Sequence, residues 1–305
     1  MKVLVVGGCG FIGSHLIDEL IEHGASVSVL DLKPERFRTP LAGVQYIQGA
    51  ISNISLLRKA LSGIDAVIHL ASSTVPATSN LDPARDLDDN LIGMVRMLEL
   101  MREVGVGKII YLSSGGTVYG LPEADFIEET HPNNPLSSYG IVKLAAEKYL
   151  HMYHKLYGIE YVALRASNPY GPRQGNTGIQ GIIGTFLWKT ATGQALEIWG
   201  DGSVVRDYIH IRDLVTLCLQ SLKSHHCGVF NAGSGQGTSV NEIVQLISQV
   251  TGKNLTPNYQ PSRSYDVPYS VLSIKRAAQL LHWQPKISLV AGIEETWDWI
   301  NKQQL

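Results

Sequence analysis

The segment Met1 to Asp31 restricts this chain more than any other. Lys2 to Val6 is a short run rich in β-branched residues, Gly7-Gly8-Cys9-Gly10-Phe11-Ile12-Gly13 follows at once, and an apolar-periodic segment from Phe11 to His23 stops at Gly24. That order reads as strand, glycine turn and helix, and Ala25 to Leu30 then forms a second strand that delivers Asp31. Counted from Gly8, the turn is G-x-G-x-x-G, which lets a chain turn tightly, bring its backbone against a pyrophosphate and pack a helix closely on a strand. Phosphates then sit at the helix N-terminus, where unpaired N–H groups and the helix dipole favour anions. A carboxylate at Asp31 suits ribose hydroxyls and repels a 2′-phosphate, so the expected cofactor is NAD rather than NADP.

Composition excludes several other classes. The 25 Lys and Arg against 27 Asp and Glu leave no basic surplus for nucleic acid or a membrane surface. Cys9, Cys218 and Cys227 have no metal-ligand spacing and suggest no disulfide framework, so neither a metal nor an oxidising compartment is expected. MKVLVV runs directly into the first strand, and no apolar run approaches membrane-spanning length, so a cytoplasmic protein is expected.

Beyond Asp31 the pattern alternates. Strands are expected at Val44 to Gln48, Asp65 to Ala71, Lys108 to Leu112 and Tyr161 to Leu164, with helices at Ile54 to Leu61, Ala84 to Val104 and Ser137 to Tyr157. The first long helix carries a predicted apolar stripe of Leu87, Leu91, Val95, Leu98 and Met101, and Ser72 to Asn80 reads as loop. Such alternation implies an α/β fold of the Rossmann type, a doubly wound parallel sheet with right-handed crossovers. Residues 1–166 form the expected NAD-binding domain. Residues 167–305 form a smaller, mainly substrate-binding lobe, with some segments returning to the sheet. Its predicted helices are Gly181 to Thr192, Asp213 to Leu222, Val240 to Val250, Ile274 to Leu281 and Leu289 to Ile300.

Tyr139 and Lys143 lie four apart on one predicted helix, hence on one face. An ammonium beside a phenol favours the phenolate, so the pair can act as a base near neutral pH. Chance pairing is the plain alternative, and Tyr149, Tyr153 and Tyr157 on the same helix read as packing or subunit contact. His69 reads as a satisfied core histidine. His151 and His154 lack partners for a metal site, and His225-His226 reads as a solvated turn.

A dinucleotide turn, the serine-rich Ser113-Ser114-Gly115-Gly116-Thr117-Val118-Tyr119-Gly120 and Tyr-x-x-x-Lys on the next helix together resemble the extended short-chain dehydrogenase/reductases. More narrowly the chain resembles the NAD-dependent sugar-nucleotide epimerase/dehydratase family, closest to its UDP-glucose 4-epimerase branch. Arg165-x-x-Asn168-x-Tyr170-Gly171-Pro172, Arg206-Asp207-Tyr208-Ile209-His210 and Arg263-x-x-Asp266-Val267-Pro268 look like its nucleotide-sugar clamp. The resemblance implies a nucleoside-diphosphate sugar epimerised at C4 through a transient 4-keto sugar. Tyr139 is then the acid/base on the 4-hydroxyl, and Lys143 lowers its pKa and holds the nicotinamide ribose. Gly7, Gly10, Phe11, Ile12 and Gly13 cradle the cofactor phosphates in this comparison. Asp31, Ile51, Leu70, Ala71 and Asn90 complete its site. Asn168, Arg206, Arg263 and Asp266 match the substrate side, and the two long helices resemble the family's dimer seam, implying a homodimer.

Two departures stand out. The family's serine or threonine four residues before the tyrosine of V-Y-G falls at Gly115, so either Ser114 or Thr117 supplies that hydroxyl; the glycine pair favours Ser114. An acid that contacts the adenine amine falls at Ala50. The dehydratases place an acid pair where this chain has Gly116 and Thr117, and Asp31 argues against an NADPH-consuming 4-keto-sugar reductase. A non-catalytic NAD or sugar-nucleotide sensor is the remaining alternative, opposed by the intact Tyr139 and Lys143. Seven residues beyond Arg263, Ser270 matches a gate beside the sugar C2 substituent, where a serine leaves room for an acetamido group.

Overall fold

The computed structural model describes residues 1–175, 181–262 and 267–303. Its central sheet has seven parallel strands in the order β10-β6-β5-β4-β1-β2-β3. Their ranges are β1 (Lys2–Val6), β2 (Ser26–Asp31), β3 (Gln45–Gln48), β4 (Ala66–His69), β5 (Lys108–Ser114), β6 (Glu160–Ala166) and β10 (Gly228–Ala232). The helices before residue 167 are α1 (Phe11–Glu22), α2 (Ile54–Leu61), α3 (Pro76–Ser79), α4 (Pro83–Asp86), α5 (Gly93–Val104) and α6 (Ser138–Tyr157).

Strand alternation divides the core into two layers. Val3, Val5, Ile68 and Ile110 face a layer containing Leu16 and Ile17 of α1 and Leu214 and Leu217 of α8 (Ile211–Lys223). Leu4, Val6, Val67 and Ile109 face Leu57 of α2, Met94 and Met97 of α5 and Leu150 of α6. Both faces are covered, as a parallel sheet requires. Truncating Leu4 or Ile68 to alanine removes fully buried apolar volume, at a cost of about 2–5 kcal/mol.

The remaining elements are β7 (Asn168–Tyr170), α7 (Ile182–Ala191), β8 (Glu197–Trp199), β9 (Val205–His210), β11 (Gly237–Ser239), α9 (Val240–Thr251), β12 (Asn258–Gln260), β13 (Tyr269–Ser270), α10 (Lys275–Leu280) and α11 (Leu289–Asn301). A small sheet runs β11-β9-β13, with β7 also on β9. Its core joins Phe186 and Leu187 of α7, Ile243 and Ile247 of α9 and Ile293 of α11.

Three expectations need correction. The helix expected unbroken from Ala84 to Val104 is α4, a π-helical segment (Leu87–Ile92) and α5. The wider π turn shifts the phase of the apolar stripe. Met94, Met97, Leu98 and Met101 are buried, whereas Leu87 is exposed and Leu91 and Val95 are half-buried. The loop expected at Ser72 to Asn80 contains the single turn α3, started by Pro76 at its first position. His69 is buried but not satisfied: neither ring nitrogen has a hydrogen-bond partner, and its ring packs against Tyr111.

Candidate active site

The glycine turn lies at the C-terminal edge of the sheet. The chain bends there with Gly7 in the left-handed region at a φ of 83°, and the Leu70 and Ala71 amides both donate to the Val6 carbonyl, at 2.8 and 3.1 Å. A Cβ on Gly13 would stand 2.5 Å from the Gly8 Cα, so only glycine lets α1 approach the strand this closely. Phe11, Ile12 and Gly13 form the first turn of α1, where amides have no carbonyl one turn earlier within the helix.

Gly7, Gly10, Asp31, Ile51, Leu70, Ala71 and Asn90 line one cavity of about 660 Å³. Asp31 Oδ2 accepts from the Cys9 amide at 2.9 Å, and its Oδ1 accepts from the Lys33 amide at 3.0 Å. The carboxylate thus braces the turn while bordering the cavity. Asn90 bridges the far wall, accepting from the Ser73 amide at 2.9 Å and donating to Asp86 Oδ1 at 2.8 Å. The cleft, the glycine cradle and the acid at the end of β2 fit a dinucleotide.

Tyr139 and Lys143 sit on the inner face of α6, which is capped by Ser137 and stopped by left-handed Gly158. Lys143 Nζ donates to the Leu112 carbonyl at 2.8 Å and lies 4.8 Å from the Tyr111 ring centre. Burial lowers the Lys143 ammonium to about 8, against the opposing pull of Asp86 and Glu147. Burial and the Asp86 carboxylate together push the Tyr139 phenol up to about 12. The expectation that Lys143 lowers the phenol is therefore not met in the chain alone. Burial disfavours the phenolate and the Asp86 charge acts in the same direction.

The loop leaving β5 is tied down from below. Ser113 Oγ donates to Glu147 Oε1 at 2.5 Å, and Arg165 binds the same carboxylate with Nε at 3.0 Å and Nη2 at 2.7 Å. The Arg165 guanidinium also stands 4.5 Å from the Tyr119 ring centre. A Cβ on Gly115 would meet Leu272 Cδ1 at 2.5 Å and the Arg165 carbonyl at 3.0 Å, so a serine cannot occupy that position without moving its neighbours. Ser114 is half-buried, and Thr117 Oγ1 is buried with no hydrogen-bond partner.

On the other side, Asn168 and Arg206 line a second cavity of about 390 Å³. Asn168 Nδ2 donates to the Asp207 carbonyl at 2.8 Å, and Arg206 Nη1 to the Val205 carbonyl at 2.9 Å. Ser270 pairs with Arg206 across the parallel β13 and β9 strands. Arg263 and Asp266 lie outside the described residues.

Sequence reasoning missed Trp199 and Tyr259. Both are exposed aromatics lining a third cavity of about 770 Å³, which shares Trp199 and Val204 with the second. A tryptophan followed directly by Gly200-Asp201-Gly202 was the available signal. Asp86 was missed as well, because an acid inside an expected helix looks solvated until its burial is seen.

The sequence matches the NAD-dependent epimerase/dehydratase family over residues 3–233. It is 35% identical over 313 residues to the UDP-glucose 4-epimerase of Mycolicibacterium smegmatis, covering 100% of both chains. The structure superposes with a TM-score of 0.96 on the UDP-glucose 4-epimerase of Thermotoga maritima solved with UDP-glucose, at 37% identity and with 100% of each chain covered. It also matches, at 28% identity and a TM-score of 0.94 over 99% of each chain, a UDP-N-acetylglucosamine 4-epimerase from Methanobrevibacter ruminantium in complex with UDP-N-acetylmuramic acid. With the glycine cradle, the Tyr139–Lys143 pair and a match that spans most of its length, the chain belongs to the NAD-dependent epimerase/dehydratase family.

Proposed function

We propose that this chain is an NAD-dependent UDP-sugar 4-epimerase working through a transient 4-keto sugar. The observation that carries the reading is the packing of Lys143 between the Leu112 carbonyl and the Tyr139 ring, next to the strand end that leads into Ser114. When bound, NAD supplies a hydride acceptor at the sugar C4 and returns the hydride to the opposite face. Tyr139 takes the 4-hydroxyl proton and later gives it back, Lys143 orients the nicotinamide ribose, and Ser114 or Thr117 holds the reacting hydroxyl. Gly7 to Gly13 hold the pyrophosphate, with Asp31, Ile51, Leu70, Ala71 and Asn90 around the rest of the cofactor.

Arg206, with Asn168, Arg263 and Asp266, grips the substrate diphosphate, a role suited to a planar bidentate cation. Trp199 and Tyr259 offer flat faces to the base. Residues 1–166 serve the cofactor and 167–305 mainly the substrate, although β10 joins the central sheet and α8 packs near α1.

The proposal includes a homodimer. Ile141, Tyr149, Met152, Leu156 and Tyr157 are exposed along α6 and Ile92 at the end of the π segment, apolar surface that a partner copy would cover. A monomeric mass by light scattering at micromolar concentration would contradict it. A cytoplasmic setting is also proposed, supported by three unpaired cysteines; no helix among the described residues is long and apolar enough to cross a membrane.

The activity is tested by incubating the protein with UDP- and dTDP-sugars and following C4 inversion by NMR. Conversion of a UDP-hexose or UDP-N-acetylhexosamine without added reductant is the expected result. Tightly held NAD with no turnover of any sugar nucleotide would make the chain a sensor instead.

A further inference from the structure

Asp86 is fully buried, and no step above uses its carboxylate. Its Oδ1 accepts from Thr74 Oγ1 at 2.6 Å and from Asn90 Nδ2 at 2.8 Å, and its Oδ2 accepts from Ser138 Oγ at 2.7 Å. The three donors come from three separate stretches: the loop after β4, the π segment, and the first residue of α6, immediately before Tyr139. One carboxylate therefore joins the wall that carries Asn90 to the helix that carries the phenol. The π segment fits this role, since its wider turn follows Asp86 directly and brings Asn90 back to it.

The charge of this carboxylate is not shared with a contacting cation, because all three side-chain donors are neutral. Glu147, the other acid near Lys143, is matched by the bidentate Arg165. The remaining groups facing the pair are His69 of β4, which burial holds neutral at about 3, and Tyr111 of β5, whose phenol burial keeps protonated. Asp86 is thus the acid whose charge reaches the pair without an ion-pair partner in its hydrogen-bond shell.

We propose that Asp86 is a positioning residue of the catalytic pair: its buried carboxylate anchors the first turn of α6 and, by its charge, sets the pH range over which Tyr139 and Lys143 work. A negative charge in a poorly solvated site favours the protonated form of both neighbours, phenol over phenolate and ammonium over amine. It acts in that direction on both groups here. Because the sign is the same for each, removing the charge slides both titrations to lower pH together. Loosening the helix start alone lowers the rate without sliding them.

The inference rests on Tyr139 and Lys143 being the acid/base pair, and it is tested with Asp86→Asn against the charge-keeping control Ser138→Ala. Two readouts are taken: the pH profile of kcat with a UDP-hexose, and the Lys143 ammonium titration by NMR of isotope-labelled lysine side chains, assigned with Lys143→Met. In Asp86→Asn both limbs of the profile, and the Lys143 midpoint, move down by on the order of one pH unit. In Ser138→Ala kcat falls several-fold with both limbs in place. An unmoved or alkaline-shifted Lys143 midpoint in Asp86→Asn overturns the proposal, as does an equal shift in Ser138→Ala. Should the asparagine variant fail to fold, Asp86→Ser, which removes the charge and keeps one hydroxyl, is judged by the same criteria. Absence of turnover in the unmodified protein counts against the epimerase reading alone, because the lysine titration needs no substrate.

Discussion

Lys143 Nζ lies 5.4 Å from the centre of the Tyr139 ring while donating to the Leu112 carbonyl at 2.8 Å. The i,i+4 spacing brings the two side chains to one face of α6, and the bond to β5 holds the lysine in place. The pair proposed for proton transfer at C4 is thereby held by a helix and a strand rather than by a flexible loop.

Replacing Tyr139 by phenylalanine keeps the ring and its packing but removes the proposed acid/base group. Turnover of the accepted UDP-sugar falls by on the order of 10²–10⁴, while NAD stays bound. Comparing kcat with cofactor content by absorbance separates the two. Near-normal kcat removes Tyr139 from the mechanism.

The hydroxyl missing at Gly115 is expected from a neighbouring residue, and two variants decide which. Gly115 is pressed against Leu272, so its neighbours must do the work. Ser114→Ala is expected to cost clearly more in kcat than Thr117→Ala, because Ser114 ends β5 half-exposed whereas Thr117 Oγ1 is buried. The opposite ranking assigns the role to Thr117, whose unpartnered oxygen is then completed by substrate.

Cofactor choice turns on Asp31, whose carboxylate borders the cavity and braces the Cys9 amide. The protein is expected to bind NAD more tightly than NADP when the two are compared by calorimetry. Asp31→Ser narrows the difference, since Lys33 and Arg36 line the same cavity and attract a 2′-phosphate once the acid is gone. Equal affinities in the unmodified protein would refute the assignment.

The order of elements through β6 was legible because each rests on local signals: Gly10 before α1, Ser137 and Gly158 around α6, and apolar runs for β1 and β4. The π segment was not, because the bonds of Asp86 and Asn90 to Thr74, Ser73 and Ser138 join residues distant in sequence and leave no local pattern. Strand β10 was also missed: Gly228–Ala232 is short and mixed in polarity, and only its place beside β6 makes it a strand. Within the site, Tyr139 and Lys143 were visible from spacing. Their proton affinities were not, because those follow from burial.

Substrate choice is expected to turn on Ser270, which stands opposite Arg206 in the β13–β9 pair. Cross-strand partners share a face of the sheet, so a group gripped by Arg206 brings its attached sugar toward residue 270. A serine there is small and hydrogen-bonding, which leaves room for a 2-acetamido substituent and a donor for its carbonyl. UDP-GlcNAc or UDP-GalNAc should therefore be converted at least as well as UDP-glucose or UDP-galactose. Discrimination by size runs one way, since a wider gate admits the larger sugar without rejecting the smaller, and such selectivity is modest. A tyrosine fills the space instead, so Ser270→Tyr is expected to abolish turnover of the acetamido sugars while sparing the plain hexoses. The plain alternative makes Ser270 no more than a strand residue. Turnover of UDP-glucose by the unmodified protein, with none of either acetamido sugar by NMR, would decide for that alternative.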